Sequence, residues 1–262
     1  MSQILRSAFW AVLAFLPASL AVAAPVGQIV ETKGYVTVGV PTQAPVSASK
    51  GGGIEVGQVI TTGTNGQTVI KFQDGQVIAL KSNSIFRVTN YKFDQAAPEK
   101  GESLFALLQG GLRAVTGLIG ANNKTGWRLA TPTATVGIRG TDFLVAIDQA
   151  SYLKVTQGSV SATNAGGTLI VNVNEAGVIT SASVAGASVP VSSLPASLFA
   201  ELEAMSLSGA LSGAAAAGST GASAATVGGV PAWVVGVGIA AGVGVAASNN
   251  GGDDETTTTT HH

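Results

Sequence analysis

From residue 27 to about residue 191 the chain is a succession of short alternating runs cut by glycine, and this pattern constrains the fold more than any other feature. Period-two alternation places apolar side chains on one face of a strand. Val36 and Val38 face one way, Tyr35 and Thr37 the other. Ile70 and Phe72 lead into Asp74-Gly75, after which Ile78 and Leu80 resume the apolar face. Asp-Gly between such runs signals a hairpin, because glycine accepts the positive φ that tight turns require. Phe143, Val145 and Ile147 alternate next, then Leu153 and Val155, then Leu169, Val171 and Val173. A loose Gly-x-Val/Ile unit starts at Gly27, Gly34, Gly57, Gly75 and Gly158, too irregularly spaced for a strict repeat. Residues 96–121 are less strand-like: 103–108 fit a strand or one helical turn before Gly110-Gly111, and alternation resumes over 112–116. The expectation is an all-β domain of short strands, a sandwich or a β-solenoid, followed by a C-terminal helix and a Gly/Ala-rich apolar tail. Roughly 165 residues suffice to bury one core without metals or disulfides.

Composition narrows the chemistry. The 262 residues contain no cysteine, and both histidines stand at the end, His261 and His262. Disulfides, thiolate metal sites and cysteine nucleophiles are therefore excluded, and a Ser-His-Asp triad has no histidine within the foldable region. Only 10 % of residues are charged and 35 are glycine, which suits an extracytoplasmic β-protein. The net charge of −1 hides an asymmetry. Residues 24–154 carry twelve basic and eight acidic residues, a balance of +4, whereas 155–262 carry six acidic residues and no basic one. The front of the chain is suited to an anionic partner.

The two ends read differently from the middle. Residues 1–23 form a secretory signal: Arg6, an apolar run over 8–16, Pro17, and Ala21-Val22-Ala23 as the small-residue cleavage site. The protein is thus expected to be exported to the periplasm or cell surface. The β-domain is placed at 24–194 and a short amphipathic helix at 195–211, with Leu198, Leu202 and Met205 on one face and Gly209 near its end. Residues 212–229 form a low-complexity linker and 248–262 an acidic, Thr-rich tail. Between them, residues 230–247 run without a charge and place Gly238 and Gly242 at GxxxG spacing. The acidic flank Asp253-Asp254-Glu255 runs against the positive-inside tendency. This segment fits either membrane association or Gly-rich self-assembly.

Several pieces resemble the FecR domain. They are Gly57-Gln58-Val59-Ile60-Thr61-Thr62-Gly63, then Phe72-Gln73-Asp74-Gly75 with Gln76 where serine is common, then Thr131-Pro132, Ala134, Val136, Arg139-Gly140-Thr141 and Phe143, and finally Val155 with Gly158 to Val160. The resemblance spans about residues 27–173. It implies an all-β envelope module whose motif residues Gly63, Asp74, Gly75, Thr131, Pro132, Gly140, Thr141 and Phe143 are structural. In the name-giving family the periplasmic domain follows an anti-sigma segment and a membrane span, and receives a signal from an outer-membrane siderophore transporter. Here the β-domain follows the signal directly, so the chain looks more like stand-alone secreted FecR-domain proteins.

Two constellations could carry function. Arg113, Lys124, Arg128 and Arg139 with Trp127 form the best basic-aromatic set, suited to an anionic glycan because guanidinium forks match carboxylate and phosphate. The bland alternative places Trp127 in the core. Asp142 and Asp148, six residues apart, are the minimal carboxylate pair for glycan cleavage, against which stands the reading as solvated acids. No P-loop, dinucleotide fingerprint or zinc spacing occurs, so neither metal nor cofactor is expected, and export with modest charge argues against nucleic acid. The expectation is a non-enzymatic module that binds a cell-surface polysaccharide or an envelope protein. The alternative is a periplasmic sensor serving an outer-membrane transporter.

Overall fold

The computed structural model describes residues 24–211. The segments read from sequence as a secretory signal, a linker, an apolar run over 230–247 and an acidic tail lie outside the described residues. Fifteen strands make one open sheet: β1 Gly27–Lys33, β2 Val36–Gly39, β3 Val46–Ser47, β4 Gly53–Ile54, β5 Val59–Thr62, β6 Gln67–Phe72, β7 Val77–Leu80, β8 Ile85–Lys92, β9 Glu102–Val115, β10 Trp127–Ala130, β11 Thr135–Ile147, β12 Ser151–Asn164, β13 Gly167–Asn172, β14 Glu175–Ile179 and β15 Ala187–Pro190. Residues 103–108, ambiguous in sequence, belong to the long strand β9. Every pairing is antiparallel except β9 with β10. That excludes a stack of parallel coils, and the all-β expectation takes its layered form.

The layers arise because β9, β11 and β12 are long and change partners midway. The first half of β9 pairs with β8 and β10, and its second half with β7 and β11. β11 pairs with β10 before Gly140 and with the end of β9 after it. β12 likewise meets β13 with its second half and β14 with its first. A glycine at positive φ marks each switch: Gly110 at 80°, Gly140 at 64° and Gly158 at 76°. The bends at Gly140 and Gly158 are stacked so closely that a Cβ on Gly158 would stand 2.1 Å from the Gly140 carbonyl oxygen. Only glycine fits there without a shift of backbone.

The bends fold the sheet over one core. The inner face of the first layer (β2, β5, β8, β10, β13 and the adjoining halves of the long strands) contributes Val38, Ile60, Phe86, Phe105, Leu129, Ile138 and Val171. The second layer (β1, β6, β7, β14 and the other halves) contributes Ile29, Ile70, Phe72, Ile78, Phe143 and Leu153. A chain of rings crosses between them: Phe72 to Phe105 at 5.1 Å, Phe105 to Trp127 at 6.0 Å and Trp127 to Phe143 at 5.6 Å. Edge-on and tilted contacts of this kind add to the burial of large apolar surfaces.

The outer faces differ. Val69, Val77, Ala79, Val115, Leu144 and Ala146 make the outer face of the second layer apolar, and two helices cover it. These are α2 (Ser197–Ala204) and α3 (Ser208–Leu211), which follow α1 (Leu118–Asn122) in the chain. They bury Phe199, Leu202 and Ala210, and the connector between them buries Leu207. The single helix read over 195–211 is therefore two short ones. Met205 leaves helical geometry with ψ 124°, and Gly209 lies inside α3 instead of ending a helix. The pair forms part of the folded body, which thus extends beyond residue 194 to Leu211.

Candidate binding surface

The motif residues gather into the scaffold. Asp74 and Gly75 form the β6–β7 turn, Gly75 at φ 84°. The Asp74 side chain turns inward, accepting from the Gln76 N–H at 3.2 Å, the Tyr91 hydroxyl at 3.0 Å and the Ile119 N–H at 3.2 Å. Burial pushes the Asp74 carboxyl up from the ordinary carboxylate range, against the pull of these hydrogen bonds. The Tyr91 hydroxyl is pushed up by its own burial and by the nearby Asp74 charge. Gln76 is buried beside this turn, donates to Ser103 Oγ at 3.1 Å and accepts from Trp127 Nε1 at 2.8 Å.

The remaining motif residues serve the hairpins and bends. Thr131 closes the β10–β11 turn around Pro132, with its N–H donating to the Ala134 carbonyl at 2.8 Å and its Oγ1 accepting from Ala134 N–H at 3.1 Å. Thr141 is clamped by Thr116, whose N–H donates to the Thr141 carbonyl and whose Oγ1 accepts from the Thr141 N–H, and Phe143 closes the ring chain. Gly63 receives Tyr35 at the β5–β6 turn, donating its N–H to the Tyr35 carbonyl.

The five residues of the basic-aromatic set are not brought together. Trp127 is 1 % exposed, a core ring whose only polar atom is satisfied, so it offers no platform to a ligand. Arg113 is on the outer face of the second layer, in a two-point pair with Asp142 that includes Nε to Oδ1 at 2.9 Å. The Asp142 hydrogen bond raises the guanidinium pKa further, and the cation is already neutralised. Lys124 is exposed in the turn that enters β10, off the sheet face.

Arg128 and Arg139 do share a surface. Arg128 pairs across strands with Gly137, and Arg139 stands two residues further along β11, opposite Ser159. Their neighbours Trp127, Leu129, Val136 and Ile138 point into the core, so both arginines project from the outer face of the first layer. Diagonal neighbours of this kind lie about 7–8 Å apart, within joint reach of long side chains. Neither has an ion-pair partner among the described residues. The floor between them is low, built from Gly137, Ser159 and Ser161.

Sequence reasoning missed a third cation on this face. Arg87 pairs with Ala106, which pairs with Ala130 beside Arg128. Its Nε is buried without a hydrogen-bond partner. The strand pairing that aligns β8, β9 and β10 is what reveals it, and no local motif does. Of the carboxylates along this face, Glu102 is engaged by Asn90 and Lys92, and Glu175, at the far edge, by Asn172.

Asp142 and Asp148 do not converge. Asp142 is 5 % exposed and held by Arg113, whereas Asp148 is exposed beyond the end of β11. Six residue steps along the extended chain separate them by about 20 Å, far more than the roughly 5–9.5 Å of a glycosidase pair. Among the described residues no three His, Cys, Asp or Glu side chains cluster as metal ligands, and no helix is long and apolar enough to cross a membrane.

Residues 58–161 match the family described as FecR protein. The match runs from β5 into β12 and includes both exposed arginines. Two crystal structures of a candidate anti-sigma factor from Parabacteroides distasonis ATCC 8503, at 1.65 and 2.50 Å resolution, are similar to the chain with TM-scores of 0.41 and 0.40 at 16 % identity. Each similarity covers 50 % of this chain and 59 % of the other, so the chain spans less than two thirds of that protein. No curated protein matches the chain.

Proposed function

We propose that this is an exported, non-catalytic FecR-domain module of the cell envelope that binds a surface polymer or an envelope protein. The observation that carries the reading is the asymmetry of the two outer faces. One is apolar and covered by α2 and α3. The other is uncovered among the described residues and presents Arg128 and Arg139 without ion-pair partners. Exposed cations on a rigid sheet cost little to leave in water and become favourable when an anionic partner displaces their counterions. Export rests on the secretory pattern of residues 1–23, and membrane association on the apolar run 230–247. The test is co-sedimentation of the chain with insoluble peptidoglycan and with extracted surface polysaccharide across a salt series. Salt-sensitive pelleting that falls in the Arg128→Ala/Arg139→Ala variant is expected. Protein left wholly in the supernatant would shift the reading to a protein partner.

The FecR match favours a second reading, a periplasmic sensor partner of an outer-membrane transporter. Retention of the chain on a transporter's periplasmic segment, with none on polysaccharide, would select it.

A further inference from the structure

Resting on the envelope-module reading, we infer that the outer face of the first layer is a docking surface for a linear polysaccharide bearing carboxylates, with Arg128 and Arg139 as its recognition pair. The shape of the face argues for an extended chain. Gly137, Ser159 and Ser161 form a low floor beside the two guanidinium groups, and a Cβ on Gly137 would already stand 3.0 Å from Ser161 Oγ. Across the floor, β13 presents Ile170, 46 % exposed, and Asn172. A polymer lying there meets guanidinium on one side, hydroxyls beneath, and an apolar and an amide side chain opposite. Strands about 4.8 Å apart make the surface from β10 to β13 roughly 14 Å wide.

Chemistry favours a glycan over a protein. Protein interfaces centre on buried aromatic anchors. The aromatic rings carried by the strands of this layer, Phe86, Tyr91, Phe105 and Trp127, are turned into the core. Hydroxyls and guanidinium groups suit a polyhydroxylated anion. Carboxylate is favoured over phosphate because Arg128 and Arg139 stand on neighbouring strands and Arg87 stands two strands further away on β8, an arrangement suited to successive single charges along a chain. Arg113 shows the same chemistry within this chain, taking the planar Asp142 carboxylate at two points.

The test is affinity electrophoresis of the full chain through gels containing polygalacturonate, neutral dextran or polyphosphate, with envelope co-sedimentation run in parallel. Polygalacturonate should retard the chain, and salt should release it. Arg128→Ala/Arg139→Ala should weaken the apparent affinity by about tenfold or more, and Arg128→Lys should weaken it in part, since lysine lacks the two-point fork. Lys33→Ala, on the other layer, should change nothing. Equal retardation of wild type and double variant, equal retardation in dextran, or retardation by polyphosphate alone would overturn the inference. Envelope pelleting without polygalacturonate binding would sink this ligand class and leave the envelope module standing. Failure of both would remove both.

Discussion

Gln76 and Trp127 fill each other's needs inside the core: the indole N–H has one acceptor, and the amide oxygen has the indole as its donor. Replacing Gln76 by serine, the residue common at this place in the resemblance, shortens the side chain and leaves Trp127 Nε1 unpaired. Gln76→Ser and Trp127→Phe are each expected to cost about 1–3 kcal/mol in urea unfolding. Their effects should add to less than the sum, because both remove one hydrogen bond. Asp74 makes a second residue-scale prediction. Its folded pKa is raised, chiefly by burial, so its contribution is fully present below the unfolded carboxylate value and is lost as pH rises through the folded one. Asp74→Asn should flatten that fall in stability, measured as urea midpoints across a pH series. An unchanged pH profile would contradict the buried-carboxylate account. The Asp-Gly turn was legible in the sequence. That its aspartate turns inward to hold Tyr91 and the start of α1 was not, because the partners come from distant strands.

At the scale of elements, the three glycine bends make one sheet into two layers. Gly140 has positive φ but open space around a would-be Cβ, whereas Gly158 has positive φ and the Gly140 carbonyl 2.1 Å away. Gly140→Ala should therefore cost about 1–2 kcal/mol from backbone strain alone. Gly158→Ala should cost clearly more, read as the lower melting temperature of the two. Equal losses would mean the stacking of the bends is unimportant. The helix pair is held differently. Glu201 accepts from Ser82 N–H, Ser82 Oγ and Gln67 Nε2 at 2.7–2.8 Å. Burial pushes its pKa up, but these hydrogen bonds outweigh that and hold it below the usual range. Its contribution is thus present above the unfolded pKa and lost as pH falls through the folded one. Glu201→Gln should speed amide exchange in residues 197–211 at neutral pH and leave little further change on acidification. The apolar residues of this segment were visible as a helical stripe. Its division at Met205 was not, since the break follows from the sheet surface beneath it.

Across the whole molecule, alternation and glycine punctuation carried the all-β class, because period two and turn chemistry are local properties. The layering was not local. It depends on long strands changing partners, and the sequence of β9 reads as ambiguous for that reason. The basic cluster suffered most from this. Arg113, Trp127 and Arg128 lie within fifteen residues of one another, yet the fold sends them to one outer face, the core and the opposite outer face. What remains, among the described residues, is a two-sided body with an apolar face covered by α2 and α3 and an uncovered basic one. Arginine-selective labelling read by mass spectrometry, with and without extracted envelope polysaccharide, tests that claim most directly. The account predicts that Arg128 and Arg139 label freely alone and are protected by the polymer, while Arg113, bound to Asp142, labels poorly in both states. Labelling of Arg128 and Arg139 that is indifferent to the polymer would contradict it.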